Sequence, residues 1–198
     1  MEMELDDEAR AGLGLALNEA ALLGVEVDAA TRRAAATFSV LTLPTDGPPP
    51  EDARVQLVFE PVGRVAASLR LGRWNDPAAP VETFGLDALL PTVQSFGGGP
   101  IYGWEFFDVG EERFATLRDR LSLDVSLGMD GRGHSLSLSQ EGSDRHLDLW
   151  LWFDRLTIRD AAGRVIPLAE FIAGGVRWWD AFHRHDPRTE GRGMFPLA

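Results

Sequence analysis

Leu147, Leu149, Leu151 and Phe153 fall on every second position of the stretch Arg145 to Asp160, the period of a β-strand with one buried face. The opposite face carries His146, Asp148, Trp150, Trp152 and Asp154. Two indoles between polar ends imply a central strand covered on both sides. After Phe153 the apolar positions change parity to Leu156 and Ile158, so Asp154-Arg155 reads as a turn or bulge that re-aims the chain.

Other segments flank this strand with the same alternation. Residues 6–20 read as a short helix, with Asp6 and Asp7 placed to cap it and complement its dipole. Val25 and Val27, then Ala36, Phe38 and Val40, form a candidate hairpin. Beyond the Pro-rich loop 46–50, Val55, Leu57 and Phe59 make a third strand ended by Pro61, and Val65 to Leu71 a fourth. Leu86 to Leu90 is a helical turn stopped at Pro91. After Gly97-Gly98-Gly99-Pro100, a strand over 101–108 places Tyr102, Trp104 and Phe106 on one side. Leu121 to Leu127, a turn at Asp130-Gly131, and Leu136 and Leu138 among serines complete the set.

Shifted by 98 residues, Val25, Val27, Phe38 and Val40 fall on Leu123, Val125, Leu136 and Leu138. With a shorter loop, Val55, Leu57 and Phe59 fall on Leu149, Leu151 and Phe153. These matches predict an internal repeat over 20–72 and 118–160. From Pro167 the apolar spacing turns helical, through Leu168, Phe171, Ile172, Val176, Trp179 and Phe182. Gly174-Gly175 inside that helix fits a close backbone approach or a break. Residues 186–198 lack periodicity and read as a tail. The expected fold is a single α+β domain over 1–198, with strand-rich antiparallel sheet built from two similar halves and the C-terminal helix packed on one face. Leu149, Leu151, Phe153, Phe171, Ile172 and Trp179 are its expected core.

Several chemistries are excluded by composition. The chain has no cysteine, which removes disulfides, thiolate zinc sites and cysteine nucleophiles. All 19 basic residues are arginine, which removes a phosphate-loop lysine, a Schiff-base lysine and a Ser-Lys dyad. A net charge of −12 opposes nucleic acid and anionic membrane surfaces, and suits a basic protein. The start, Met1 to Glu8, is acidic and without the apolar run of a signal peptide, and no apolar stretch is long enough to span a membrane. A cytoplasmic location is expected.

His183, His185 and Asp186 have the residue types of a zinc or iron site. His183-Arg184-His185-Asp186 resembles only the front of the His-x-His-x-Asp-His motif of metallo-beta-lactamases, with Pro187 and Arg188 where further ligands would stand. The competing reading is a helix end whose basic side chains oppose the helix dipole, and no metal or cofactor is expected. Ser135, Ser137 and Ser139 near His134 and His146 read as the solvent face of a strand. Tyr102 and Trp104 are sheet core or the wall of a ligand pocket. Trp178 lies at the edge of the helix's apolar stripe and is either a core boundary or an interface anchor.

Leu17-Asn18-Glu19-Ala20, Leu23 to Asp28, and Val55 to Val62 together resemble a group of small uncharacterised bacterial proteins, some assigned as immunity proteins of polymorphic toxin systems. The resemblance covers about the first 70 residues and implies a non-catalytic inhibitor of a basic partner. The alternative is a small-molecule hydrolase or ligand-binding domain using the aromatic row and the His183–Asp186 cluster.

Overall fold

The computed structural model describes residues 5–72, 76, 78–107, 114 and 117–190. Two long strands form its axis. Strand β3 (Arg54–Leu71) and strand β8 (Arg145–Asp160) pair antiparallel from Val55 opposite Asp160 to Leu71 opposite Arg145. Around them lie β1 (Ala21–Asp28), β2 (Arg33–Ser39), β4 (Val81–Glu82), β5 (Ile101–Phe106), β6 (Leu123–Ser126), β7 (His134–Glu141) and β9 (Val165–Ile166). All pairings are antiparallel in one nine-stranded sheet of order β1-β2-β3-β8-β7-β5, with β4 and β6 on β3 and β9 on β8. The sheet curls until its two edges meet, where Ala21 bridges Pro100 and the Ile101 N–H donates to the Ala20 carbonyl at 2.9 Å.

Side-chain parity places the core. On β8, Leu147, Leu149, Leu151 and Phe153 are buried, Asp154 and Arg155 are exposed, and Ile158 is buried again. The expected change of phase is therefore present, but the strand runs through it unbroken. On β3, Val55, Leu57 and Phe59 join the same core, then Val62, then Val65, Ala67 and Leu69. The third and fourth expected strands are thus one. Pro61 does not end β3, because it lies past the end of β2, where the Val62 N–H instead donates to the Arg32 carbonyl at 2.7 Å. Gly63 is the extra residue of a bulge between Val62 and Arg64 that returns the apolar side chains to one face.

A strand order common to both halves is not found. An equivalent second half would pair β6 with β7 as β1 pairs with β2. Instead β6 pairs with β3, from Arg64 opposite Ser126 to Ala67 opposite Leu123, and the outer neighbour of β7 is β5. A backbone clasp at Gly63 directs this path. The N–H groups of Leu127 and Gly128 donate to the Gly63 carbonyl, the Gly63 N–H donates to the Gly131 carbonyl, and residues 127–133 then pass β3 at Gly63 and β8 at Asp154, in the middle of both strands, to start β7. The Asp130-Gly131 turn therefore does not close a hairpin.

Helix α1 (Asp7–Ala16) is capped by Asp6, whose Oδ1 accepts from the Ala9 N–H at 2.9 Å. Helix α2 (Leu89–Gln94) contains Pro91 in its first turn, where the missing N–H has no intrahelical acceptor to lose. Pro91 therefore does not stop it. Helix α3 (Leu168–His183) packs chiefly on α1, not across a sheet face as expected. Small residues set that choice. A Cβ on Gly175 would stand 2.6 Å from Ala16 Cα, and one on Gly12 would stand 2.7 Å from the Ile172 side chain, so the two helix axes approach closely at Gly12, Ala16 and Gly175. The pair Gly174-Gly175 marks close approach, not a break.

Of the six expected core residues, Leu149, Leu151, Phe153, Phe171 and Trp179 are buried, and Ile172 is half-buried over Gly12. Leu151 is fully buried on β8, opposite Val65 of β3 on one side and Leu136 of β7 on the other. Leu151→Ala is expected to cost about 3 kcal/mol in urea unfolding, and a loss below about 0.5 kcal/mol would place it on a solvent face. Among the described residues, no helix is long and apolar enough to cross a membrane. Residues 186–190 form a 3-10 turn that buries Thr189, and the rest of the expected tail lies outside the described residues.

Candidate functional site

The outer face of the β3–β8 pair carries the most concentrated polar chemistry. Register brings its members together, since Ser68 stands opposite Asp148, Arg70 opposite His146, and Ser139 of β7 opposite Asp148 from the other side. Directly opposite residues share a face and touch. The Arg70 Nη2 donates to Asp148 Oδ2 at 2.6 Å, while the Ser139 Oγ at 2.8 Å and the His146 Nε2 at 2.7 Å both donate to Oδ1. An ionised carboxylate only accepts, so the histidine proton is assigned to Nε2. His146 is 7% exposed, and among the described residues its buried Nδ1 has no hydrogen-bond partner.

Burial of Asp148 pushes its pKa up, but the His146 hydrogen bond and charge, the Ser139 hydroxyl and the Arg70 guanidinium together outweigh that cost. Its carboxyl is held below the ordinary value. Ser139 gives its proton to Asp148 and does not reach His146, whose Nε2 is also committed to Asp148. The three side chains therefore lack the hydroxyl-to-imidazole contact of a nucleophile and its base. The arrangement orients a guanidinium; it does not activate a hydroxyl.

Beside this network lies a concavity of about 70 Å³. Ser68, Arg70, Asp148 and Trp150 line it from the sheet, and Leu117, Arg120 and Leu121 from the segment laid over it. Further along the same face, Trp152, Ala66 and Phe114 form a second apolar cluster, with the Arg64 guanidinium 4.8 Å from the Phe114 ring and 5.0 Å from that of Trp152. Both faces of β8 are covered, as its two indoles imply.

No protein-family model, curated protein or solved structure matches this chain.

The residues singled out in the sequence do not converge. Tyr102 is the unpaired residue at a register slip on β5 and is 64% exposed, whereas Trp104 packs edge-on against Phe38 and Phe106 in the sheet core. A bulge has split the expected aromatic row. Trp178 is 1% exposed, stacked on Phe182 at 5.3 Å and packed with Leu43. It is core and not a surface anchor, because the chain at Leu41 to Leu43 covers the side of α3 that its helical position left at the margin of the stripe.

The His183–Asp186 cluster is a helix stop. The Asp186 N–H donates to the Ala181 carbonyl and the His185 N–H to the Phe182 carbonyl, with His185 at φ +56. That is the Schellman arrangement. His183 and His185 are exposed, and the Asp186 carboxylate is bound by the Arg188 side chain and N–H, which lower its pKa to about 2. Among the described residues no group of three metal-ligating side chains assembles. Glycine occupies the left-handed position of such a stop without strain. His185→Gly is therefore expected to stabilise the protein by about 0.5 kcal/mol, the strain relief less the added unfolded-state entropy. A fall in the urea midpoint would contradict this.

The polar network is only partly visible in the sequence. His146 and Asp148 stand on the outer face of β8 by parity alone, but Arg70 is 78 residues away in sequence from Asp148, and only register joins them.

Proposed function

We propose that this is a non-catalytic binding protein whose partner is a basic protein. The observation that carries the reading is the way charge is distributed over the folded chain. Among the described residues, seven arginines are held in ion pairs with carboxylates of the same chain, so much of the positive charge is neutralised where it stands. The carboxylate surplus is at the surface, with Asp7, Glu8, Glu26, Asp46, Glu51 and Glu105 all exposed. A body of net charge −12 attracts cationic surfaces and repels polyanions over about a Debye length, roughly 10 Å at 0.1 M salt. Inhibition of a basic toxin is the specific form of this role that the resemblance of the first 70 residues implies. The hydrolase alternative has less support, because His183, His185 and Asp186 end α3, Trp104 is packed in the sheet core and Tyr102 is exposed apart from both.

The test is the ionic-strength dependence of association. A basic partner recovered by native pull-down is expected to bind with an on-rate that falls about tenfold or more between low and high salt, and to bind more slowly when exposed carboxylates are changed to amides. Capture of nucleic acid or of an acidic protein, undiminished by salt, would contradict the proposal.

A further inference from the structure

We propose that the chain forms a two-fold dimer through the outer face of β2 and β3, in which Arg33 of each copy meets Glu60 of the other. The inference does not depend on the basic-partner reading. Ala34, Ala36 and Phe38 of β2 and Val55, Leu57 and Phe59 of β3 belong to the core, so the residues between them point to the opposite face. Among the described residues, β2 and β3 pack against other strands and no helix is laid across them. Arg33, Ala35, Thr37, Gln56 and Glu60 are all left partly exposed.

The first support is the order of charges on that face. The register sets Asp28, Arg33, Glu60 and Arg155 side by side across β1, β2, β3 and β8, so the row reads negative, positive, negative, positive. Seven other described arginines are held in ion pairs, but among the described residues Arg33, Glu60 and Arg155 form none. A row of this kind complements itself. Turned about a two-fold axis that lies in the face and runs along the strands between β2 and β3, the row reverses, and every charge falls on its opposite. An axis across the strands would set like charge on like, which opposes that docking.

The neighbouring rows fit the same operation. Ala35 stands opposite Val58 and Thr37 opposite Gln56, so the axis lays Ala35 on Val58 of the second copy and Thr37 on its Gln56. Short apolar side chains meet each other, and a hydroxyl meets an amide. Because the sheet curls until its edges meet, the contact is a strip along β2 and β3. Such a strip is smaller than the roughly 800 Å² per copy of a standard interface, and the dimer is accordingly weak, with a dissociation constant on the order of 10 to 100 µM.

Sedimentation equilibrium of the full chain near physiological salt, from about 10 to 500 µM, is expected to show a reversible shift toward twice the monomer mass. Arg33→Glu and Glu60→Arg each create two like-charge contacts, one per copy, and each is expected to weaken the dimer by about tenfold or more. Combining Arg33→Glu with Glu60→Arg restores opposite charges at both contacts and is expected to recover most of the affinity. The chain has no native cysteine, so a mixture of Thr37→Cys and Gln56→Cys chains is expected to oxidise to the mixed disulfide dimer in preference to either like pair. That reading leaves the charges unchanged and serves if a charge variant is poorly folded. A monomer at every concentration, a folded double variant no tighter than either single one, or disulfides formed without preference for the mixed pair, would overturn the proposal.

Discussion

Asp148→Ala is expected to destabilise the protein by about 3 to 5 kcal/mol, the range for removing one partner of a buried ion pair and leaving the other charged. The side chains of Arg70 and Asp148 are only 14% and 17% exposed, so only the little water that the adjoining concavity admits can replace the lost carboxylate. Ser139 and His146 lose their acceptor in the same step, and each unsatisfied buried donor adds to the cost. Urea unfolding should show a lower midpoint with an unchanged slope. The pH dependence has a definite sign. The folded-state pKa of Asp148 is depressed, so its contribution is fully present above the unfolded value, about 3.9, and is lost as pH falls through the lower folded value. That acid-side loss should be smaller in Asp148→Ala. A cost below about 1 kcal/mol would mean that the network contributes no more than an exposed pair.

What is legible in the sequence is parity, and what is not is partnership. The four alternating apolar residues of β8 and the two indoles opposite them give the central strand, its two covered faces and the change of phase at Asp154-Arg155. Periodicity is a property of one strand and survives without neighbours. The path of β6 is different in kind. Leu123 and Val125 alternate as an edge strand of a second hairpin would, and contacts distant in sequence hold them on β3: Gly63 with residues 127–131, the Ser122 N–H with the Ala67 carbonyl, and Arg64 with Asp124. Pro61 shows the same limit, since whether proline ends a strand depends on which neighbour would have received its N–H.

The candidate site follows the same division. His183, Arg184, His185 and Asp186 bring ligand-type residues together in sequence, yet adjacency at a helix end is what a stop motif requires. Arg70, Ser139 and Asp148 come from three strands and meet only through register. Helical geometry alone puts Trp178 at the margin of its helix, and the segment from Leu41 to Leu43 that buries it is about 135 residues earlier in the chain. A residue's angular position on its own helix does not reveal what covers it.

The glycine clasp beside β8 should show the largest effect of a single methyl group. Gly131→Ala is expected to cost about 4 kcal/mol or more, well above the usual range for a point substitution. Two penalties coincide. Gly131 has φ +75, a left-handed conformation that costs a residue with a Cβ about 1 to 2 kcal/mol. A Cβ there would also lie 2.6 Å from the Pro61 carbonyl oxygen, 2.7 Å from the Gly63 nitrogen and 2.9 Å from the Val62 carbonyl carbon. All three atoms are backbone of a central strand, so none can rotate away. Relief requires the 127–133 crossing to lift from β3, which breaks the Gly63 N–H bond to the Gly131 carbonyl at 2.9 Å and the Gly131 N–H bond to Asp154 Oδ2 at 3.2 Å. Gly163→Ala separates the two penalties, because Gly163 has φ +81 but nothing within 4 Å of where its methyl group would stand. It should therefore cost only the conformational share, about 1 kcal/mol. Chemical denaturation of the two variants side by side decides the matter: equal losses would leave the clasp without a steric role, and a difference of about 3 kcal/mol would make it the joint that holds β6 on β3.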